Sequence, residues 1–398
     1  MSAMTLDDLR PQLESYRSDL VGETLPFWLE HGWDRQHGGI VTSLDRDGTR
    51  IDGDKAMWFQ GRAAWMFATA YNSVEQDPQW LEVATSCLLF LEQHGFDDDG
   101  GMYFLVTEDG QPLRKRRYVY SEAFASMAYS ACARATGNEQ WAERARELFE
   151  IYTRVSFQPG EMEAKVDPAT RPSKGIGPRM ICIHLAQTLR ENIDDASLDL
   201  MNSWIDRCIE EIEQDFCKED LAVVMETVSP TGHIINSFEG RLLNPGHAIE
   251  AAWFILHEAK YRGGDAHLVS LGIQMLDWMW QRGWDEEYGG LYSFRGLYDR
   301  PVQEPSHDMK YWWPHTEAII ATLLAYQLTG DERHAERFQM VHDWSRKHFA
   351  DPQHGEWYGY LHRDGTPALH LKGNHWKGPY HLPRMQWYAS QLIDGECR

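Results

Sequence analysis

Hydrophobic and polar positions along this chain alternate between two kinds of segment. The first is apolar almost all round and rich in Ala and aromatics, as in RAAWMFATAYNSV from Arg62, SEAFASMAYSACARA from Ser121 and HTEAIIATLLAYQL from His315. The second is amphipathic, with apolar residues at i, i+3, i+4 and i+7, as in WLEVATSCLLFLEQ from Trp80, WAERARELFEIY from Trp141 and RHAERFQMVHDWSRK from Arg333. Both periods are helical. Short breaks, QDPQ, TGNEQ and TGDE, join each apolar segment to the amphipathic one that follows. The pattern predicts helical hairpins in which a small-residue inner helix crowds around an axis and an outer helix carries the solvated face.

Between hairpins one phrase recurs: an aromatic, acidic or polar residues, a Gly pair or its relic, a short aliphatic or aromatic stretch, and an acidic-Gly turn. It reads HGWDRQHGGIVTSLDRDGT from His31, HGFDDDGGMYFLVTEDGQP from His94, RGWDEEYGGLYSFRGLYDRP from Arg282 and HFADPQHGEWYGYLHRDGTP from His348. A fainter copy starts at Asp215 and a degenerate one, VSFQPGEMEAKVDPAT, at Val155, so that successive starts lie 60 to 67 residues apart. Six copies at a near-fixed period signal a closed or stacked repeat fold. The expected fold is all-α, an (α/α)6 barrel of six hairpins in one domain over residues 1–398, with long loops or short β-hairpins at one face. The alternative is an open solenoid, a binding scaffold; solenoid repeats have short loops, whereas these are long, Gly-rich and aromatic.

Composition narrows the function. The 398 residues are 42% hydrophobic and 25% charged, with no apolar run near the roughly 18 residues of a membrane span. Lys and Arg total 38 against 61 Asp and Glu, a balance of −23 that argues against nucleic-acid phosphate as a partner. No membrane partner is expected either. MSAMTLDDLRPQ has no basic n-region or apolar h-region, so the expected location is the cytoplasm. Cys87, Cys132, Cys182, Cys208, Cys217 and Cys397 form no C-x-x-C pair and are expected to be reduced and mostly buried. The 17 Trp, 17 Tyr and 15 Phe often stand beside Gly, Asp or His, which suits sugar rings as well as core filling.

Aligning the repeats puts six helix entrances in register: AMWFQGR (Ala56–Arg62), YVYSE (Tyr118–Glu122), GPRMICIH (Gly177–His184), NPGHAIE (Asn244–Glu250), KYWWPHTE (Lys310–Glu317) and KGPYHLPR (Lys377–Arg384). Parallel inner helices bring them to one mouth, lined by Arg62, Glu122, His184, His247, Glu250, Trp312, His315, Glu317 and His381. His247 and Glu250, at i, i+3, share a face, so the carboxylate can orient the imidazole or hold a hydroxyl. Trp58 and Arg62, at i, i+4, place an indole beside a cation that can hold an oxyanion or else form a salt bridge to Glu122 or Glu250. Trp312 pairs with His315 and Trp313 with Glu317; spacing leaves open which face points inward. GIG at Gly175–Gly177 lacks a third glycine, HEAKY at His257 lacks a second His, and His31, His37, His94, His348 and His354 belong to the repeated turns.

With those entrances in view, the chain resembles the N-acylglucosamine 2-epimerase family over nearly its whole length. The motifs that carry the resemblance are WFQGR, NPGHAIEAAWF, WWPHTEA and KGPYHLPR, and YSE, NPGH and WPH are closer to the N-acylglucosamine type than to the cellobiose type. The resemblance implies the (α/α)6 fold, a sugar substrate, His247 and His381 as acid–base pair, Arg62 steadying an enediolate, and Glu250 and Glu317 assisting ring opening and holding hydroxyls. Pro379–Tyr380 departs from the Cys and Phe of the family's mammalian members, which leaves the N-acyl preference open, and unmodified-sugar 2-epimerases and aldose–ketose isomerases share the scaffold. Some members respond to ATP, but no phosphate-cradling motif is present here. No metal or redox cofactor is expected, and a monomer and a homodimer both stay open.

The implied chemistry removes the C2 proton of an open-chain sugar on one face and returns a proton on the other. Histidine, with an ordinary pKa of about 6.5, suits both roles near neutrality. The rivals are a glycoside hydrolase, for which Glu122, Glu250 and Glu317 could supply two carboxylates, and a non-catalytic sugar-binding scaffold.

Overall fold

A computed structural model describes residues 6–115, 118–162, 166–193 and 197–392. Part of the degenerate repeat after Val155, the extreme N-terminus and Cys397 lie outside the described residues. Twelve α-helices alternate between an outer and an inner ring. The outer ones are α1, which begins as Leu6–Asp19 and runs on through π-helical turns to Gly32, α3 (Pro78–His94), α5 (Glu139–Phe157), α7 (Leu198–Glu211), α9 (Ala266–Gly283) and α11 (Glu332–His348). The inner ones are α2 (Met57–Ser73), α4 (Tyr120–Thr136), α6 (Gly177–Asn192), α8 (Pro245–Tyr261), α10 (Trp312–Thr329) and α12 (His381–Gln391).

Each inner helix packs on the next, and α12 closes the ring against α2, so the fold is an (α/α)6 barrel and not an open solenoid. The chain begins with an outer helix: α1 packs on α12 and completes the sixth hairpin. Inner helices are buried nearly all round, from Met57 to Ala70 in α2 and from Pro314 to Tyr326 in α10, which is why they read as apolar without a stripe. Four outer helices, α3, α5, α9 and α11, start at Asp or Asn caps. Asp77 accepts from the Gln79 N–H, Asn138 from Gln140 and Trp141, Asp265 from His267 and Leu268, and Asp331 from Arg333. The QDPQ, TGNEQ and TGDE breaks are these caps, two of them preceded by a left-handed glycine, Gly137 or Gly330. No described helix is long and apolar enough to cross a membrane. Cys87, Cys132, Cys182 and Cys208 are buried free thiols; Cys217 is half-buried and free.

The repeated phrases form the loops at the inner-helix entrances. Short strands leading into inner helices pair antiparallel with the following loop, Lys55–Ala56 with Tyr103–Val106, Lys174–Gly175 with Thr227–Val228, Leu242–Leu243 with Arg295–Gly296, and Lys310–Tyr311 with Tyr360–Leu361. A bridge from Leu44 to Gly373 ties the first loop to the last. The recurrent Asp is the staple of five of the loops. Asp34 pairs with buried Lys55 at 2.7 Å, Asp285 with Lys310 at 3.0 Å, Asp351 with Lys372 at 3.1 Å and Asp215 with Lys174 at 2.5 Å, and Asp97 meets Lys115. Each Lys sits just ahead of an inner helix or in its approach loop, so the pair clamps loop to entrance.

The histidine that opens three of the copies lies beneath the turn glycine that ends it. A Cβ on Gly365, whose φ is +86°, would stand 2.2 Å from the His348 Nδ1. Gly355, at φ +67°, has open space instead. Gly355→Ala should therefore cost only the left-handed backbone penalty of about 1–2 kcal/mol. Gly365→Ala should cost more, because His348 must also move; urea unfolding of the two variants checks the order, and equal losses would remove His348 from this role.

Candidate active site

Four of the outer helices carry side-chain caps, but five of the six inner helices, α2, α4, α6, α10 and α12, begin without one; among the inner helices α8 alone is capped, by Asn244. The entrances thus present helix N-termini, the positive ends of the peptide dipoles, to one mouth.

At its centre lies Arg384, on the first turn of α12 and 1% exposed. Its Nη2 donates to Glu250 Oε1 at 2.5 Å and to Glu317 Oε2 at 2.6 Å, and its Nη1 to the Tyr380 hydroxyl at 3.0 Å. Trp253 Nε1 donates to the same Glu317 Oε2 at 2.7 Å. Donor atoms of Glu250, Glu317 and His381 come within 4.8 Å of one another, as metal ligands would. The guanidinium already bridges the two carboxylates, so we assign no ion there.

Two histidines flank this cluster. The His381 Nδ1 is 2.8 Å from Glu317 Oε1. The His247 Nδ1 is 3.0 and 3.1 Å from the two oxygens of Glu226, and 3.0 Å from Asn244 Nδ2. Trp313 stands between them, its ring 5.1 Å from that of His247 and 5.8 Å from that of His381. Both imidazoles make these contacts through Nδ1, which leaves Nε2 for a ligand. Their charge preferences diverge. Burial, and then the Arg384 charge, push the His381 pKa well below the ordinary 6.5. Burial acts on His247 in the same sense, but the Glu226 charge and hydrogen bond outweigh it and raise that pKa. Of the two, His247 is therefore the one whose surroundings favour the proton.

Arg62 lies under a roof of rings, its guanidinium 5.0 Å from Trp58, 4.2 Å from Phe124 and 4.7 Å from Tyr380. Among the described residues it forms no salt bridge, and its Nε is buried without a partner. Burial lowers its pKa to about 10, so it remains a cation at neutrality. Trp58 is anchored through Nε1 to the His375 carbonyl at 2.9 Å. His184 stacks on Phe254 at 4.5 Å and meets Trp65 and Trp253 edge-on; burial and the Arg384 charge hold it neutral.

Three expected lining residues are placed otherwise. Glu122 Oε1 accepts the Met102 N–H at 3.0 Å, and His315 Nε2 accepts the Leu291 N–H at 2.8 Å while its Nδ1 meets the Tyr311 carbonyl at 2.6 Å. In the first repeat Gln60 does the same for Ile40, at 2.8 Å. Ile40, Met102 and Leu291 each follow the Gly pair, so these side chains pin each loop to its inner helix and turn away from the cavity. Burial pushes the His315 pKa down to about 3, consistent with a neutral pin. Trp312 is 2% exposed and lies edge-on behind His381, at 6.0 Å; half-buried Trp313 faces the cavity in its place. Sequence reasoning left open which of Trp312 and Trp313 faces inward and put Trp312 in the lining, and it missed Arg384 and Glu226. Arg384 carried a signal, since it is at i+3 from His381. Glu226 comes from a loop and carried none.

The model of the N-acylglucosamine 2-epimerase (GlcNAc 2-epimerase) family matches residues 28–383. The chain is 35% identical to the N-acylglucosamine 2-epimerase of Bos taurus over 94% of its own length and 89% of that protein. It is 24% identical to the cellobiose 2-epimerase of Bacteroides fragilis over 94% and 97%. Among solved structures, the cellobiose 2-epimerase from Bacillus thermoamylovorans B4167 superposes with a TM-score of 0.83 at 21% identity, over 97% of this chain and all of that one, which establishes the same fold.

Proposed function

This chain belongs to the N-acylglucosamine 2-epimerase family, and we propose that the mouth of its barrel interconverts N-acyl-D-glucosamine and N-acyl-D-mannosamine through an enediolate. The supporting observation is the pair of imidazoles flanking Trp313, one biased neutral and one charged, each offering Nε2. Two titratable groups whose surroundings drive their pKa values apart form an acid and a base at one pH.

In the open-chain sugar the C1 carbonyl acidifies C2–H. Neutral His381 takes that proton at Nε2, the electron pair passes into the C1–C2 enediolate, and the charge gathers on O1. Arg62, a cation among rings with no carboxylate in salt-bridge contact among the described residues, faces that oxygen, and the uncapped helix ends add to its field. Charged His247 then returns a proton to C2 from the opposite face. Glu250 and Glu317 are both held by Arg384, so in this reading they position Arg384 and His381 instead of acting as free acids. No metal or cofactor enters any step.

The hydrolase reading is not favoured. A glycosidase sets two carboxyl groups about 5–9.5 Å apart across the scissile bond. Here one guanidinium nitrogen bonds both Glu250 and Glu317, and Glu122 is engaged by a loop N–H. Proton NMR on a panel of GlcNAc, ManNAc, glucose, mannose, fructose and cellobiose tests the proposal. Interconversion of GlcNAc and ManNAc is expected. Turnover of unmodified mannose to fructose with none of the N-acyl sugars would assign the site to aldose–ketose isomerisation, and release of monosaccharide from cellobiose would assign it to hydrolysis.

A further inference from the structure

The two catalytic candidates are each backed by a carboxylate at Nδ1, but the two carboxylates are not equivalent. Glu317 is shared: its Oε2 accepts from Arg384 and Trp253, and its Oε1 from Thr316 at 3.3 Å as well as meeting His381. Its charge is therefore largely answered before His381 reaches it. Glu226 has no Arg or Lys within salt-bridge distance among the described residues; its ion-pair partner is His247 alone. Its backbone is fixed, since the Glu226 carbonyl accepts the Ile176 N–H at 3.0 Å and the next residues form the strand paired with Lys174–Gly175. A carboxylate on a residue pinned next to a strand, with both oxygens about equally far from one imidazole nitrogen, is a built contact.

We propose that Glu226 is a positioning residue that acts through His247, holding the proton on that histidine between turnovers and turning its Nε2 to the substrate. This rests on the two-histidine epimerase reading above. The groups that face His247 are Glu226 from the loop, Asn244 at the cap of α8, Glu250 on its own helix, Trp313 from α10 and His381 from α12. Of these, Glu226 is the carboxylate in contact; Glu250 is committed to Arg384.

The proton balance gives the inference a consequence. In the forward step a proton leaves C2 for His381 and another leaves His247 for C2, so product departs from an enzyme whose proton has changed histidines. Glu226 beside a neutral His247, and Arg384 beside a charged His381, both oppose that state. The proton must return through solvent before the same epimer is taken again. Forward and reverse reactions start from the two tautomers of one singly protonated pair, whose ratio does not depend on pH, so they share one pH profile, with an acid limb set by His381 and a basic limb set by His247.

The test uses Glu226→Gln, which keeps shape and an acceptor but removes the charge, and Glu226→Asp, which keeps the charge. An opposite charge in contact shifts a pKa by about one pH unit or more. In E226Q the basic limb of kcat/KM should move down by about that much, so that activity at a given pH on that limb falls about tenfold, with the acid limb in place. E226D should keep the limb near its wild-type position. The same variants are titrated without substrate, following the imidazole Cε1 proton of His247, assigned by its loss in His247→Asn. A lowered His247 midpoint in E226Q supports the assignment whatever sugar the enzyme takes; absence of N-acyl sugar turnover alongside it would sink the epimerase reading alone. An unchanged His247 midpoint overturns the proposal, as does a uniform loss of activity at all pH values with both limbs unmoved.

Discussion

His381→Asn should lower epimerisation by about a thousandfold, within the range that general acid–base groups contribute, and His247→Asn should do the same. The informative difference lies in the C2 exchange each variant retains in D2O. With His381 gone, His247 can still exchange the proton of the epimer that presents C2–H to it, but only once it is deprotonated. Its pKa is raised, so this residual exchange should climb with pH above the ordinary histidine range. With His247 gone, His381 exchanges the other epimer, and because its pKa is depressed that exchange should be flat through neutrality. Proton NMR of each epimer across pH checks both slopes. Near wild-type inversion by either variant would end the two-base assignment, and loss of exchange with both epimers in both variants would move one histidine to ring opening.

Arg62→Lys should lower kcat by about a hundredfold, the lower end of what one oxyanion donor contributes, while KM changes little. The rings of Trp58, Phe124 and Tyr380 enclose the planar guanidinium at 4.2–5.0 Å. An ammonium keeps the charge but cannot fill that slot or present the same fork to an oxygen. The split follows because the enediolate, and not the bound sugar, carries the charge that Arg62 meets. Steady-state kinetics with N-acyl-D-mannosamine settles it; an unaltered kcat would make Arg62 a packing residue.

How much of this was legible in the chain follows from what a helical repeat encodes. The hairpin count, the inner and outer rings and the six entrances are periodic, and five inner helices begin within two residues of the start of their motifs, at Met57, Tyr120, Gly177, Pro245 and Trp312, while the sixth begins at His381, four residues into its own. Rotation about each helix axis is not periodic information. Spacing joins Trp312 to His315 and Trp313 to Glu317, yet only the packed structure shows that Trp313 and Glu317 face the axis while His315 reaches back to Leu291. Glu122 and His315 looked like cavity groups because Gln60, their counterpart in the first repeat, is neutral and attracted no notice. Glu226 was invisible for another reason: it lies 21 residues from His247, in a loop whose path depends on the pairing of Thr227–Val228 with Lys174–Gly175.

In the proposed mechanism C2 of an open-chain N-acyl sugar sits between His247 and His381. A crystal structure with the reduced, acyclic N-acetylglucosaminitol, which cannot close to a ring or lose its C2 proton, measures it most directly. C2 is expected about 3–3.5 Å from the Nε2 of both histidines, one on each face, with O1 toward Arg62. An alditol lying with C2 beside one histidine only, or bound outside the mouth, would contradict it.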